Sequence, residues 1–324
     1  MTHPIRRRAG LAVALVSSAV LALSACGGGD IGSSDDGGGG SASCDSTVNM
    51  AINPWVGFEA SAHVVGRVIE DKLGCKVDYK NLKEEVSWQG FGNDVDVVIE
   101  DWGHPDLVKK YVDSANPTAV EVGPNGNVGQ IGWFVPPWMV EKYPDILDYK
   151  NLNKYADLFK TSESGDKGQL LDGDPSFVTN DEALVKNNDL NYKVVYAGSE
   201  AALITAFKQA EEKKTPLIGY FYAPQWFLSE VKLQKVNLPP YTEGCDADPE
   251  KIKCDYPSTD LLKYASKKFM DDGGDAATVV KKFKWTNDDQ NLVAKYIAED
   301  KMSADDAADK WIAANPDKVK AWMP

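Results

Sequence analysis

The chain has 324 residues, with 35 Lys+Arg against 49 Asp+Glu and a formal net charge of −14. So acidic a surface repels phosphate backbones, which excludes nucleic acid as a partner. The length suffices for a large core and for division into two domains.

Arg6, Arg7 and Arg8 precede an apolar run from Leu11 to Leu23. That charge order belongs to a secretory signal, and the run is short for a membrane span. It ends in Leu23-Ser24-Ala25-Cys26, which resembles a bacterial lipobox. On that reading residues 1–25 are a signal peptide and Cys26 is acylated, placing the protein on the outer face of the cell membrane. A twin-arginine export signal is a second reading of the arginine cluster. Cleavage removes three arginines and no acid, which takes the net charge from −14 to −17. Residues 26–43 are Gly, Ser and Asp with almost nothing apolar, so their ordering entropy goes uncompensated and they read as a flexible tether.

Four cysteines remain, Cys44, Cys75, Cys245 and Cys254, an even number in an exported chain. Cys245 with Cys254 closes a short loop, and Cys44 with Cys75 is the second expected pair. There is no Cys-x-x-Cys, and the histidines are His3, His63 and His104, so neither a metal nor a cofactor is expected.

In the body, strands and helices alternate. Thr47 to Ile52 reads as a strand and Phe58 to Leu73 as an amphipathic helix stopped by Gly74. Lys76 to Tyr79, Asp96 to Ile99, Ile131 to Val135, Lys193 to Tyr196 and Leu217 to Tyr222 read as further strands, with a helix over Glu200 to Lys213. From Asp260 onward the pattern is helical: Leu261 to Met270, Asp275 to Phe283, Asp288 to Glu299, and Ala304 to Ala314. Trp285, Trp311 and Trp322 fall at apolar positions there and read as core. The rhythm predicts an α/β protein with mainly parallel sheets.

No catalytic residue is expected. The chain has no Gly-x-Ser-x-Gly, His-Glu-x-x-His or P-loop. Gly123 to Gly129 is glycine-rich but does not lead a strand into a helix, and reads as a loop. Glu100 and Asp101 are adjacent, so an extended backbone points them to opposite faces. A surface-tethered hydrolase without a recognised motif, and a structural lipoprotein with a degenerate cleft, are the readings from other classes.

Aromatic residues fall where strands end: Trp55 after the first, Trp102 after the third, Phe177 in the loop beginning at Asp172, and Tyr222 at the end of Leu217 to Tyr222. In open α/β sheets, ligands sit beyond the carboxyl ends of strands. A trimethylammonium group carries charge but no N–H, so aromatic faces suit it. Backbone N–H groups around Trp55 to Phe58, Gly57 among them, and the Gln225 amide are the expected donors to a solute carboxylate. Glu100 and Glu59 are expected acceptors for a hydroxyl, should the solute be choline or carnitine.

Asn53-Pro54-Trp55-Val56-Gly57-Phe58-Glu59-Ala60, Asp96 to Trp102, Gly132 to Pro136, Ser199 to Leu203 and Gly219 to Trp226 together resemble the glycine betaine and choline family of substrate-binding proteins that serve ATP-driven importers. The blocks run in family order over most of Val48 to Pro239, and the C-terminal helices match loosely. The resemblance implies a type II periplasmic-binding-protein clamp with a hinge. One domain would be discontinuous, 44–131 with 222–324, and the other would be the inserted 132–221. It implies a monomer that captures a small quaternary ammonium solute in an aromatic cage and passes it to an ABC transporter permease. Trp102 and Trp55 take the places of cage aromatics. Tyr222 stands where relatives usually have tryptophan, Phe177 where they have tryptophan or an amide, and Gln225 where betaine binders often have histidine.

Overall fold

The computed structural model describes residues 47–177 and 179–324, all within one compact unit. The signal segment, Cys26, the tether and Cys44 lie outside the described residues.

The first arm is a βαβ run. Strand β1 (Val48–Ile52) leads into α1 (Val56–Leu73), then β2 (Val77–Asn81), α2 (Glu84–Gln89), β3 (Val97–Asp101) and α3 (Pro105–Tyr111). α1 ends where Gly74 takes φ 71°, its N–H returning to the Glu70 carbonyl and the next N–H, of Cys75, to that of Ile69, a left-handed cap that a side chain would strain. β4 (Ala119–Val135) is followed by the short helices α4 (Pro137–Lys142) and α5 (Leu152–Tyr155). β5 (Gly168–Asp172), α6 (Asp181–Asn187), β6 (Tyr192–Tyr196), α7 (Glu200–Lys213), β7 (Gly219–Ala223) and the two-residue β8 (Gln234–Lys235) complete the second arm. The chain then returns through β9 (Ser258–Ser266) to α8 (Lys267–Asp272), α9 (Gly274–Lys282), α10 (Asn287–Ala298), α11 (Ala304–Ala314) and α12 (Pro316–Trp322).

The strands form one sheet in the order β2-β1-β3-β9-β4-β7-β5-β6, with β8 beside β4. It is mixed. The arms β2-β1-β3 and β7-β5-β6 are parallel, whereas β9 and β4 join them through antiparallel pairings.

Two expected elements differ. Leu261 to Met270 is not one helix: β9 runs to Ser266, whose side chain then accepts from Phe269 N and starts α8. The cause is Lys263, which sits on the inward face with Leu261 and Ala265 and is itself buried. Its Nζ donates to the carbonyls of Val280, Lys281 and Phe283 near the end of α9, so a residue that reads as polar completes a core alternation. Gly123 to Gly129 is not a loop outside the sheet but part of β4. Register breaks there carry Gly123 and Gly126 at φ 101° and 96°, a backbone region open to glycine.

The buried side chains fall into two hydrophobic cores. One gathers β1, α1, β3 and the C-terminal helices and reaches into α7 and β7, with Trp285, Trp311 and Trp322 inside it. The other gathers Trp133, Trp138, Phe159, Leu170, Leu184 and Val236 with their neighbours. Cys245 and Cys254 are joined by a disulfide with Cα atoms 6.3 Å apart, which ties the loop before β9 to this second core. Cys75 is also disulfide-bonded.

Candidate functional site

A cavity of about 590 Å³ opens at the strand ends. Trp55 and Trp102 line it from the loops after β1 and β3, and Phe177, Tyr220, Tyr222 and Tyr256 line it from the second arm and the segment before β9. Trp55 meets Phe177 edge to face, centroids 5.6 Å apart at 86°, and Trp102 meets Tyr222 at 5.4 Å and 82°. Tyr220 bridges the group, 6.2 Å from Phe177, 5.9 Å from Tyr222 and 6.5 Å from Tyr256. Four of the expected residues, Trp55, Trp102, Phe177 and Tyr222, thus share one cavity.

The other three do not line it. Glu100 is 1% exposed and lies behind the rings. One of its oxygens, Oε1, accepts both indole N–H groups, from Trp55 and from Trp102, each at 2.9 Å. Its Oε2 accepts from the Ser61 hydroxyl at 3.0 Å. Gln225 is also buried; its amide donates to Glu200 at 2.7 Å and its carbonyl accepts from Phe227 N at 2.7 Å. Gly57 packs inward, where a Cβ would collide with Gln290.

Glu200, at the start of α7, governs the rest of this arrangement. Its carboxylate accepts from Val56 N at 2.8 Å, from the Tyr222 hydroxyl and from Gln225. Of the donors expected to meet a solute carboxylate, the first N–H of α1 and the Gln225 amide are therefore engaged by this buried acid. Burial pushes the carboxyls of Glu100 and Glu200 up, while the N–H and O–H donors around each pull them back.

On the second arm, Asp181 accepts from Trp133 Nε1 at 2.7 Å and from the Tyr256 hydroxyl at 2.9 Å. Asp172 accepts from Gly173 N at 2.7 Å and Thr179 Oγ1 at 3.1 Å. These bonds fix Tyr256 and the segment that carries Phe177. Both acids are pushed up, by burial first; the charge of Asp172 adds to the rise at Asp181, and that of Glu182 to the rise at Asp172.

The polar part of the lining includes Glu84, His104, Asp106 and Lys109 on one side, with Thr179 and Asn180 on the other. His104 Nδ1 lies 2.8 Å from Asp101 and its Nε2 lies 3.6 Å from Glu84. Burial alone would depress the imidazole, but the two carboxylates outweigh it and push the pKa up to about 10. Among the described residues Glu84, Asp101 and His104 also bring potential metal ligands within 4.8 Å of one another. With the imidazole held protonated, the trio is an ion-pair cluster.

Tyr220, Tyr256, His104, Glu84 and Glu200 were not singled out as lining or supporting residues from the sequence. Tyr220 carried a usable signal, because it sits two residues before Tyr222 on one strand and shares its face. Tyr256 lies in an irregular segment and carried none.

An aromatic-lined cavity with a few polar groups at the strand ends of an α/β sheet is the architecture of a small-molecule site. The family comparison makes the assignment specific. The model of the family described as the substrate binding domain of the ABC-type glycine betaine transport system matches residues 46–314, and the chain belongs to that family. Its members are extracytoplasmic receptors of transport systems rather than enzymes. The chain is 27% identical to a trimethylamine N-oxide-binding protein of Pelagibacter ubique over 291 residues, 83% of this chain and 87% of that one. Its fold is similar to lactococcal OpuAC in a closed complex with glycine betaine, with a TM-score of 0.68 and 21% identity, covering 86% of this chain and 100% of that one. It is also similar to an ABC-transporter choline-binding protein in complex with choline, with a TM-score of 0.69 and 17% identity, covering 85% and 91%. Among the described residues no helix is long and apolar enough to cross a membrane.

Proposed function

We propose that the cavity captures a small methylated ammonium solute, glycine betaine or a close analogue, and that the protein delivers it to an ABC permease. The observation that carries this reading is the convergence of six aromatic rings on one cavity, with Trp55–Phe177 and Trp102–Tyr222 packed edge to face. Each ring face contributes about 0.5–2 kcal/mol to a desolvated cation, so a cage of this size supplies much of the roughly 8 kcal/mol of a micromolar site. Trp55, Trp102, Phe177 and Tyr222 are the cage residues, joined by Tyr220 and Tyr256. Glu100, Gln225 and Gly57 act behind it.

Choline is a second reading with its own support. Two of the expected carboxylate donors, Val56 N and the Gln225 amide, are engaged by Glu200, which leaves fewer groups for a solute carboxylate. The oxygen-bearing end of either solute would meet His104, Thr179 or Asn180.

The likeness of the fold to a closed, liganded complex supports a clamp of two lobes that closes on the solute, with one lobe built around the segment 132–221. Acylation at Cys26 and the tether 26–43 would hold a monomer near its permease.

Titration calorimetry with glycine betaine, choline, carnitine and trimethylamine N-oxide tests the reading. At least one should bind with micromolar affinity, and Trp102→Ala should weaken it tenfold or more. No binding by any of the four would end the proposal.

A further inference from the structure

Two buried carboxylates stand behind the cage without a counter-cation. Glu100 and Glu200 are 1% and 8% exposed. Every hydrogen bond that reaches them comes from a neutral donor: Trp55, Trp102 and Ser61 for Glu100, and Val56 N, Tyr222 and Gln225 for Glu200. Among the described residues neither has a lysine, arginine or histidine as an ion-pair partner. Indole, amide and backbone N–H groups only donate, so Glu100 Oε1 and both oxygens of Glu200 are held as acceptors, the arrangement that suits the carboxylate form. A buried charge that is not paired is costly, and a positive charge held in the cavity in front of these acids would offset it.

Their position says where that charge belongs. Glu100 touches the edges of Trp55 and Trp102, and Glu200 touches the hydroxyl of Tyr222. Neither acid lines the cavity, and each is bonded to rings that do. An N–H or O–H drawn toward a carboxylate leaves its ring more electron-rich, which strengthens the face offered to a cation. The carboxylate's own field acts in the same direction from behind the rings. Hydrogen bonding also holds both indoles in one orientation through a single oxygen atom.

We propose that Glu100 and Glu200 are the counter-ions of the solute's ammonium group, acting through the rings they hold, and that they make the cavity select a charged trimethylammonium over an uncharged group of the same shape. Neither touches the solute; both are positioning residues that set selectivity. The inference rests on the reading of the cavity as an ammonium cage.

The test compares each ammonium compound with its carbon isostere, in which a tert-butyl group replaces trimethylammonium: choline against 3,3-dimethylbutan-1-ol, and glycine betaine against 3,3-dimethylbutanoate. Wild-type protein should bind its preferred ammonium compound at least a hundredfold more tightly than the isostere. Glu100→Gln keeps an oxygen to accept the indole N–H groups and removes the charge. In that variant ammonium affinity should fall tenfold or more while isostere affinity holds or rises, so the ratio collapses. Glu200→Gln should do the same to a lesser degree, and provides an independent reading if Glu100→Gln fails to fold by its melting profile. Equal loss of both ligands would mean that the acids only support the rings, and an unchanged ratio would mean that the charge is irrelevant; either overturns the inference while the cage stands. A wild-type protein that does not distinguish an ammonium compound from its isostere overturns it without any variant. If wild type binds no ammonium compound at all, the cage reading fails, and this inference with it.

Discussion

At the scale of single residues, the cavity wall shows how one histidine can be kept charged. His104 is 7% exposed, and burial on its own would favour the neutral ring. Glu84 and Asp101 reverse that and bring the pKa up to about 10, from an unfolded value near 6.5. The folded chain therefore holds this proton more tightly than the unfolded chain. The stabilisation is full below about pH 6.5 and is lost as the pH rises through about 10. His104→Gln should cost about 3 kcal/mol at pH 6, the scale of breaking a buried ion pair. The gap between wild type and variant should narrow steadily toward pH 10.5. Urea unfolding at several pH values measures this; a gap independent of pH would show that the ring contributes by packing alone.

At the scale of elements, β4 is the one to probe, because its irregular stretch reaches the cage. Gly129 lines the cavity, and a Cβ there would lie 2.7 Å from Leu261 and 2.9 Å from the Trp102 ring. The indole is held at its N–H by Glu100, so it has little freedom to move aside. Gly129→Ala should lower solute affinity about tenfold while costing about 1–3 kcal/mol of stability, the usual range for overpacking. Calorimetry beside thermal melts separates the two, and unchanged affinity would mean that the ring's position is not what limits binding. This stretch also marks how far the sequence was legible. α1 announced itself through its apolar spacing and Gly74, and the buried run before Glu100 announced β3. β9 did not, because Lys263 breaks the apolar alternation and only the carbonyls near the end of α9 explain why a lysine sits there. Gly123 to Gly129 looked like a loop because the strand absorbs its glycines in register breaks that no local pattern encodes. In the site, rings at strand ends were readable one by one. The acids behind them were not, since the contact between Glu200 and Val56 spans 144 residues of chain.

At the scale of the whole molecule, what matters is that the cage belongs to neither arm of the sheet alone. Trp55 and Trp102 hang from β1 and β3, while Phe177, Tyr220 and Tyr222 hang from β5 and β7, with β9 and β4 crossing between the two arms. A cation that gains from all the rings at once gains more when the arms approach, which is the differential contact a closing motion requires. If the two arms move as lobes, saturating solute should act on both shape and stability. At a hundredfold excess over Kd, binding adds about 2.7 kcal/mol to the folded state, enough to raise the melting temperature by several degrees in a chain of this size. Small-angle scattering on the same samples should show a smaller radius of gyration. Trp102→Ala at the same solute concentration should show neither change to the same extent. A rise in melting temperature with no contraction would describe a preformed cage rather than a clamp. In that case the crossing pair β4 and β9, which joins the arms through long antiparallel pairing, would be the element holding them at a fixed distance.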